Sequence, residues 1–167
     1  KNSSAKSKPI CKKMIETILQ LIRQSQTFLV ASHENPDGDA IGSTLALTNM
    51  LREMGKDVVA YNHDRAPLEY AFLPGYASVV NQPVNAQVFD VAFVLDAGEL
   101  KRAGSWIKER CRKLVNIDHH PCSEDFGDIY YVDTEACATG VMIHRILQAA
   151  RHSLSLDVAT CIYTAIL

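Results

Sequence analysis

Behind Pro9, a residue suited to a first helical turn, Ile10, Met14, Ile15, Ile18, Leu21 and Ile22 recur at spacings of three and four and predict a helix over about 9–25. The β-branched run TFLVAS (27–32) then stops abruptly at HENPDGD, where Pro36 and Gly38 break it, so it reads as a strand ending in a loop. From Asp39 the helical period returns at Ile41, Leu45, Leu47, Met50, Leu51 and Met54, with Gly55 placed as a terminating residue. Three more apolar runs follow as strands, KDVVAYN (56–62), FDVAFVLDA (89–97) and RKLVNIDHH (112–120), and a polar helix is expected around 99–111 between the last two. DIYYV (128–132) reads as a shorter strand, followed by a helix over 136–151 and another from about 155. The region 63–88, with Pro67, Pro74, Gly75 and Pro83, is the least regular. Strands alternating with helices imply an α/β fold: an open, mainly parallel five-stranded sheet with helices on both faces.

Composition narrows this picture little. The 167 residues, 47% apolar and 22% charged, suffice for one packed core, and the absence of low-complexity runs excludes a disordered, collagen-like or repeat-built chain. Seventeen Lys and Arg against nineteen Asp and Glu leave a net charge of −2, so bulk charge recruits no nucleic acid and an anionic substrate needs a local device. The five cysteines, 11, 111, 122, 137 and 161, have no CxxC pairing, which fits a reducing cytoplasm. No apolar stretch reaches the length of a membrane span, and KNSSAKSK is followed by no signal-peptide core. CIYTAIL rises in apolarity up to Leu167 with no cap in sight, so the chain is expected to be a trimmed part of a longer protein.

The candidate chemistry lies at strand ends. In open parallel sheets ligands bind beyond the carboxyl ends of the strands. There His33, Asp37 and Asp39 follow the first strand, Asp96 closes VAFVLD, and Asp118, His119 and His120 close LVNID. Four carboxylates gathered with three imidazoles repel one another unless a divalent cation intervenes, and mixed His and carboxylate ligands without thiolates suit Mn²⁺, Mg²⁺ or Zn²⁺ rather than a structural zinc. Asp96, fixed at the end of a central strand, is placed to bridge two ions about 3.5–4 Å apart, the arrangement of two-metal phosphoryl chemistry. Set against this, Asp39 begins a helix and could serve only as its cap, and a lone His33 or His119 reads as a structural imidazole, but the convergence of all three clusters at strand ends favours the metal reading.

SHENPDGDAIGS, VLDAGELKRAG and NIDHHP resemble, in this order and over about 28–165, motifs I to III of the DHH phosphoesterases. APLEYAFLPG (66–75) resembles most the nanoRNase/pAp phosphatase branch. The resemblance implies a Rossmann-like DHH domain over 27–167, preceded by a basic tail and helix over 1–26. It also implies a fourth-motif Asp and a nucleotide-binding DHHA1 domain expected beyond Leu167. By motif position, His33 and Asp37 would ligate one Mn²⁺, Asp39 and His119 a second, with Asp96 bridging. His120 would face the substrate phosphate, and Asp118 would orient the histidine pair from behind. The implied activity is hydrolysis of short RNA oligonucleotides and 3′-phosphoadenosine 5′-phosphate by metal-activated water, with Mg²⁺ as the alternative ion. Pyrophosphate and cyclic dinucleotides are the alternative substrates, and a non-catalytic ligand-binding module is the alternative class.

Lys101 and Arg102 stand near enough to Asp96 in sequence to neutralise a substrate phosphate, or else simply begin a solvated helix. Lysines 1, 6, 8, 12 and 13 read more simply as tail and helix surface than as a nucleic-acid arm, and Cys122 more simply as a loop hydrophobe than as a ligand. Thr139–Gly140 opens a helix, either as a phosphate seat or as a packing contact. Ile162, Tyr163, Ile166 and Leu167 on the last helix are expected to be uncovered without the partner domain and to support a homodimer.

Overall fold

The computed structural model describes residues 9–84 and 87–167. Five strands, β1 (Thr27–Ser32), β2 (Asp57–Tyr61), β3 (Phe89–Leu95), β4 (Cys111–Asp118) and β5 (Ile129–Val132), form one sheet in the order β2-β1-β3-β4-β5. Every pairing is parallel, from Phe28 beside Val58 to Val115 beside Ile129. The chain steps from β1 outward to β2, then returns to β3 on the other side of β1 and continues to β4 and β5. The strand order therefore reverses between β1 and β3, which is where a parallel sheet opens a crevice at its carboxyl edge.

The helices are α1 (Pro9–Gln24), α2 (Gly38–Glu53), α3 (Leu100–Ala103), α4 (Thr139–Ala149) and α5 (Leu156–Ile166). Their distribution over the two faces is unequal. Alternate strand residues Phe28, Val30, Phe93, Val115 and Ile117 share one core with side chains of α1, α2, α4 and α5. The residues between them, Leu29, Ala31, Ala92, Val94 and Leu114, face a thinner second layer that includes Ala103 and Ile107. Ile15, Ile18, Leu19 and Ile22 bring α1 into the larger core, so the helix expected beside a basic tail packs with the sheet. Lysines 1, 6 and 8 lie outside the described residues, while Lys12 and Lys13 are exposed on α1.

Three expectations change in the structure. The polar helix over 99–111 is a four-residue turn, α3, followed by a 3₁₀ run over Ser105–Arg110. Gly104 separates them at φ 128°, and a Cβ there would come within 2.7 Å of the Trp106 ring, which stands edge-on to Tyr61 at 5.0 Å. The helix expected from 136 begins at Thr139, for a reason given below. On α5, Tyr163, Ile166 and Leu167 are exposed as expected, but Ile162 is buried in the main core.

Small residues bring α5 close to α2 and to α4. At Gly42 a Cβ would fall 2.7 Å from the Cys161 carbonyl oxygen, and at Gly140 one would fall 2.5 Å from the Ala165 Cβ. This close approach carries the end of α5 to the carboxyl edge of the sheet. Among the described residues no helix is long and apolar enough to cross a membrane.

Candidate metal centre

The loops after β1, β3 and β4 converge at the crevice between β1 and β3. Asp37 is the N-cap of α2, its Oδ1 accepting from the Ala40 N–H at 3.0 Å. Asp39 therefore lies in the first helical turn and is free to reach elsewhere. Asp96 follows the last residue of β3, is 2% exposed, and takes a left-handed conformation at φ 55°. A non-glycine residue pays strain there, and its N–H donation to the Ile117 carbonyl at 3.0 Å is one contact that fixes it.

Hydrogen-bond partners decide which imidazole nitrogens can act as ligands. His33 Nδ1 lies 2.6 Å from the Glu34 carbonyl oxygen and His119 Nδ1 3.2 Å from that of Ala136. A carbonyl only accepts, so Nδ1 carries the proton in both rings and the neutral ring presents its lone pair at Nε2. His33 Nε2 is 3.5 Å from Asp96 Oδ2 and 3.9 Å from Asp37 Oδ1. His119 Nε2 is 3.5 Å from both Asp39 Oδ2 and Asp96 Oδ1. His120 differs: its Nδ1 donates to Asp118 Oδ1 at 2.8 Å and lies 3.5 Å from Asp96 Oδ1. Asp118, wholly buried, also accepts from the N–H groups of His119, His120 and Gly98.

The titration shifts follow these contacts. Burial pushes the Asp39 carboxyl up, the Asp96 charge adds to this, and donors at Thr139, Gly140 and Ser43 only partly offset it. Burial would raise Asp118 too, but bonds from His120 and Ser123 outweigh it and hold the carboxyl below its ordinary value. For His33, burial disfavours the charged ring, yet the Asp96 contact, the Glu34 carbonyl and the charges of Asp96 and Asp37 together raise its pKa.

Ligand atoms of His33, Asp37 and Asp96 lie within 4.8 Å of one another, as do those of Asp96, His119 and His120. Asp96 is common to both groups. Nitrogen and oxygen donors without a thiolate, with Nε2 lone pairs turned toward carboxylates, fit hard to borderline divalent ions. Asp39 joins the second group through His119.

One connection has no counterpart in the sequence reading. Asp39 Oδ2 accepts from the Thr139 N–H at 2.7 Å, and Oδ1 accepts from the Gly140 N–H at 3.0 Å and the Ser43 hydroxyl at 2.9 Å. A side chain from α2 thus caps α4, whose own N-cap residue, Ala138, has none to offer. This is why α4 starts at Thr139. The two N–H groups are satisfied by Asp39, so Thr139–Gly140 acts as a carboxylate seat instead of a phosphate seat, while Gly140 keeps its packing role. Thr139 is wholly buried and its hydroxyl donates to Asp96 Oδ1 at 3.1 Å.

A cleft of about 710 Å³ opens over these groups, walled by Tyr70 and Phe72, by Arg102, and by the Thr164–Leu167 end of α5. Of the two cations named from the sequence, Arg102 lines the cleft. Lys101 pairs with Glu99, is 75% exposed and is not among the cleft residues, and Cys122 is likewise outside it and exposed. Cys137 does line the cleft, a position that spacing gave no means to see.

A family model described as the N-terminal domain of the DHH family matches residues 27–166. The chain belongs to the DHH family. The bifunctional oligoribonuclease and PAP phosphatase NrnA of Thermus thermophilus is 31% identical over 138 residues, covering 83% of this chain and 41% of the relative. A probable manganese-dependent inorganic pyrophosphatase of Streptococcus mutans is 31% identical over 96 residues, covering 55% of this chain and 31% of the relative. Among solved structures, an exopolyphosphatase-related protein from Bacteroides fragilis superposes with a TM-score of 0.87 at 26% identity, covering 93% of this chain and 49% of that one. The DHH chain described here thus spans half or less of the length of these relatives.

Proposed function

We propose that the protein is a metal-dependent phosphoesterase acting on short RNA oligonucleotides and on 3′-phosphoadenosine 5′-phosphate. The observation that carries this reading is the position of Asp96, a buried carboxylate at the strand-order reversal that belongs to two ligand groups at once. His33 and Asp37 would hold one ion and Asp39 and His119 another, with Asp96 between them. Bound there, two Mn²⁺ ions, or Mg²⁺ in their place, would supply Lewis acidity toward a phosphoryl oxygen and a lowered pKa for water.

The chain's own residues prepare the rest. Asp118 fixes the tautomer and ring orientation of His120, which stands at the cleft where a substrate phosphate would lie. Arg102 offers charge-assisted donors to nonbridging oxygens, and its backbone carbonyl, accepting from the Glu34 N–H at 2.7 Å, ties the arginine's segment to the loop that carries His33. The likeness to the Thermus thermophilus relative supports the oligonucleotide and nucleotide substrates. Soluble, cytoplasmic operation and nucleotide-orienting contacts from a following DHHA1 domain belong to the same proposal.

The test is metal-linked stability together with turnover. At a hundredfold excess over Kd, Mn²⁺ should stabilise by about 2.7 kcal/mol, a rise of about 5–11 °C in Tm for a domain of this size. Asp96→Asn should abolish that rise and lower hydrolysis of a trinucleotide by orders of magnitude in the full-length protein. An equal Mn²⁺ response in Asp96→Asn refutes the shared site.

A further inference from the structure

The walls of the cleft differ in chemistry from its floor. Its floor is carboxylate and imidazole, and among its described lining residues Arg102 is the single Lys or Arg. Opposite chemistry stands beside it: Phe72, an apolar ring left 65% exposed, and half-buried Tyr70. A chain of inorganic phosphates offers only charged oxygens, which the proposed ions and Arg102 can take, and gains nothing from a phenyl ring. A nucleotide adds a flat aromatic base to its phosphate, which matches an arginine with an exposed ring beside it.

The segment bearing these rings is fixed from below. Leu73, the next residue after Phe72, is buried in the main core, and its N–H donates to the Tyr70 carbonyl at 2.9 Å. The Tyr76 hydroxyl donates to the Ala66 carbonyl at 2.6 Å, and the Asn49 amide donates to that of Pro74 at 2.9 Å. Gly75, at φ 88°, turns the chain between these anchors. Tyr70 leans on the start of α2, since a Cβ at Gly38 would lie 3.4 Å from its hydroxyl, one residue from Asp37. Phe72 is therefore exposed on a pinned backbone, so little ordering remains to be done when a flat ligand stacks on it.

We infer that Phe72, with Tyr70 beside it, forms a nucleobase subsite next to the metal centre, so that the substrate class is a nucleotide or short oligonucleotide rather than an inorganic pyrophosphate or polyphosphate. This rests on the phosphoesterase reading of the same site and adds the residues that choose among its substrates. Stacking on an aromatic side chain tolerates any base, so the subsite favours nucleotides as a class without selecting a sequence.

The experiment measures binding apart from turnover. The full-length protein with saturating Mn²⁺ is titrated with 2-aminopurine ribonucleoside 5′-monophosphate, whose fluorescence is quenched on stacking, and with pyrophosphate by calorimetry. Phe72→Ala should weaken nucleotide binding by about ten- to a hundredfold and abolish the quench, and Phe72→Tyr should keep both. Pyrophosphate binding should be the same in all three proteins. Unchanged nucleotide affinity and quench in Phe72→Ala overturn the subsite, as does an equal loss of pyrophosphate binding. Absence of trinucleotide hydrolysis by the wild type, with the Phe72-dependent quench intact, refutes instead the phosphoesterase reading and leaves the subsite standing.

Discussion

Replacing Thr139 with valine removes one oxygen and changes almost nothing else. Valine has the same branching and volume, and its backbone N–H still reaches Asp39. What disappears is the hydroxyl that donates to Asp96 Oδ1 at 3.1 Å, at a carboxylate only 2% exposed. A hydrogen bond to a charged group is worth about 1.5–3 kcal/mol, and a domain of this size loses about 2–4 °C per kcal/mol, so the metal-free Thr139→Val protein should melt about 3–12 °C below wild type. Thr139 also supports the carboxylate proposed to bridge the ions, and removal of such a supporting contact lowers metal affinity by about ten- to a hundredfold. Calorimetric titration with Mn²⁺ reads the affinity, and scanning fluorimetry after chelation reads the stability. Thr139→Ser, which keeps the hydroxyl, should restore both. Wild-type Mn²⁺ affinity in Thr139→Val, or no recovery in Thr139→Ser, would refute the argument that the start of α4 positions Asp96.

Two further outcomes test the fold that carries the site. Asp90 accepts from the N–H groups of Thr27 and Gln26, both at 3.0 Å, and these donors, aided by the Arg112 charge, hold its carboxyl below the ordinary range although burial opposes them. A lowered folded-state pKa gives stability that is complete above the unfolded value of about 4 and is lost as pH falls through the folded one. Asp90→Asn should therefore unfold at lower urea than wild type at pH 7, and the gap should close near pH 2; a gap independent of pH would show that the charge contributes nothing. At Gly140, alanine would gain about 1 kcal/mol of helix propensity but would set a Cβ 2.5 Å from that of Ala165, and overpacking costs about 1–3 kcal/mol. Urea titration should show Gly140→Ala less stable than wild type, and a more stable variant would mean that α4 and α5 separate freely.

The strands and the site's main members were legible because both are encoded locally. Runs such as TFLVAS and VAFVLD declare buried strands by their continuous apolarity, and the polar residue that ends each run necessarily stands at the carboxyl edge. His33, Asp37, Asp96, Asp118, His119 and His120 could thus be gathered on one rim before any contact was known. Asp39 stands with them as a candidate ligand, with capping of its own helix as the alternative; the cap of α2 is Asp37 instead, and Asp39 caps a helix that begins 100 residues later. No local pattern records a bond of that separation. The break at Gly104 escaped for a different reason. Polar residues over 99–111 satisfy a helical period loosely, and only the packing of Trp106 against Tyr61 explains why the chain turns there. Phe72 likewise looked like one more residue of an irregular stretch, since its exposure depends on which neighbours are pinned below it.

The acidic rim also needs less help from a cation than its sequence suggests. Asp37 takes the Ala40 N–H, Asp39 takes two N–H groups and a hydroxyl, Asp96 takes the Thr139 hydroxyl, and Asp118 takes three N–H groups and the His120 ring. Each carboxylate is thus oriented by the protein itself, and the two nearest helix N-termini, those of α2 and α4, turn partial positive charge toward Asp37 and Asp39. A site assembled in this way has its geometry before it has its ions. The histidine tautomers point to the same order of events, because Nδ1 of His33 and of His119 is committed to a backbone carbonyl, and that leaves Nε2 facing the carboxylates whether or not a cation lies between them. Metal loading of the proposed centre would replace repulsion among these carboxylates with coordination. It has little shape left to impose, and this is why the left-handed Asp96 and the hydroxyl of Thr139, rather than a ligand alone, should govern how tightly the ions are held.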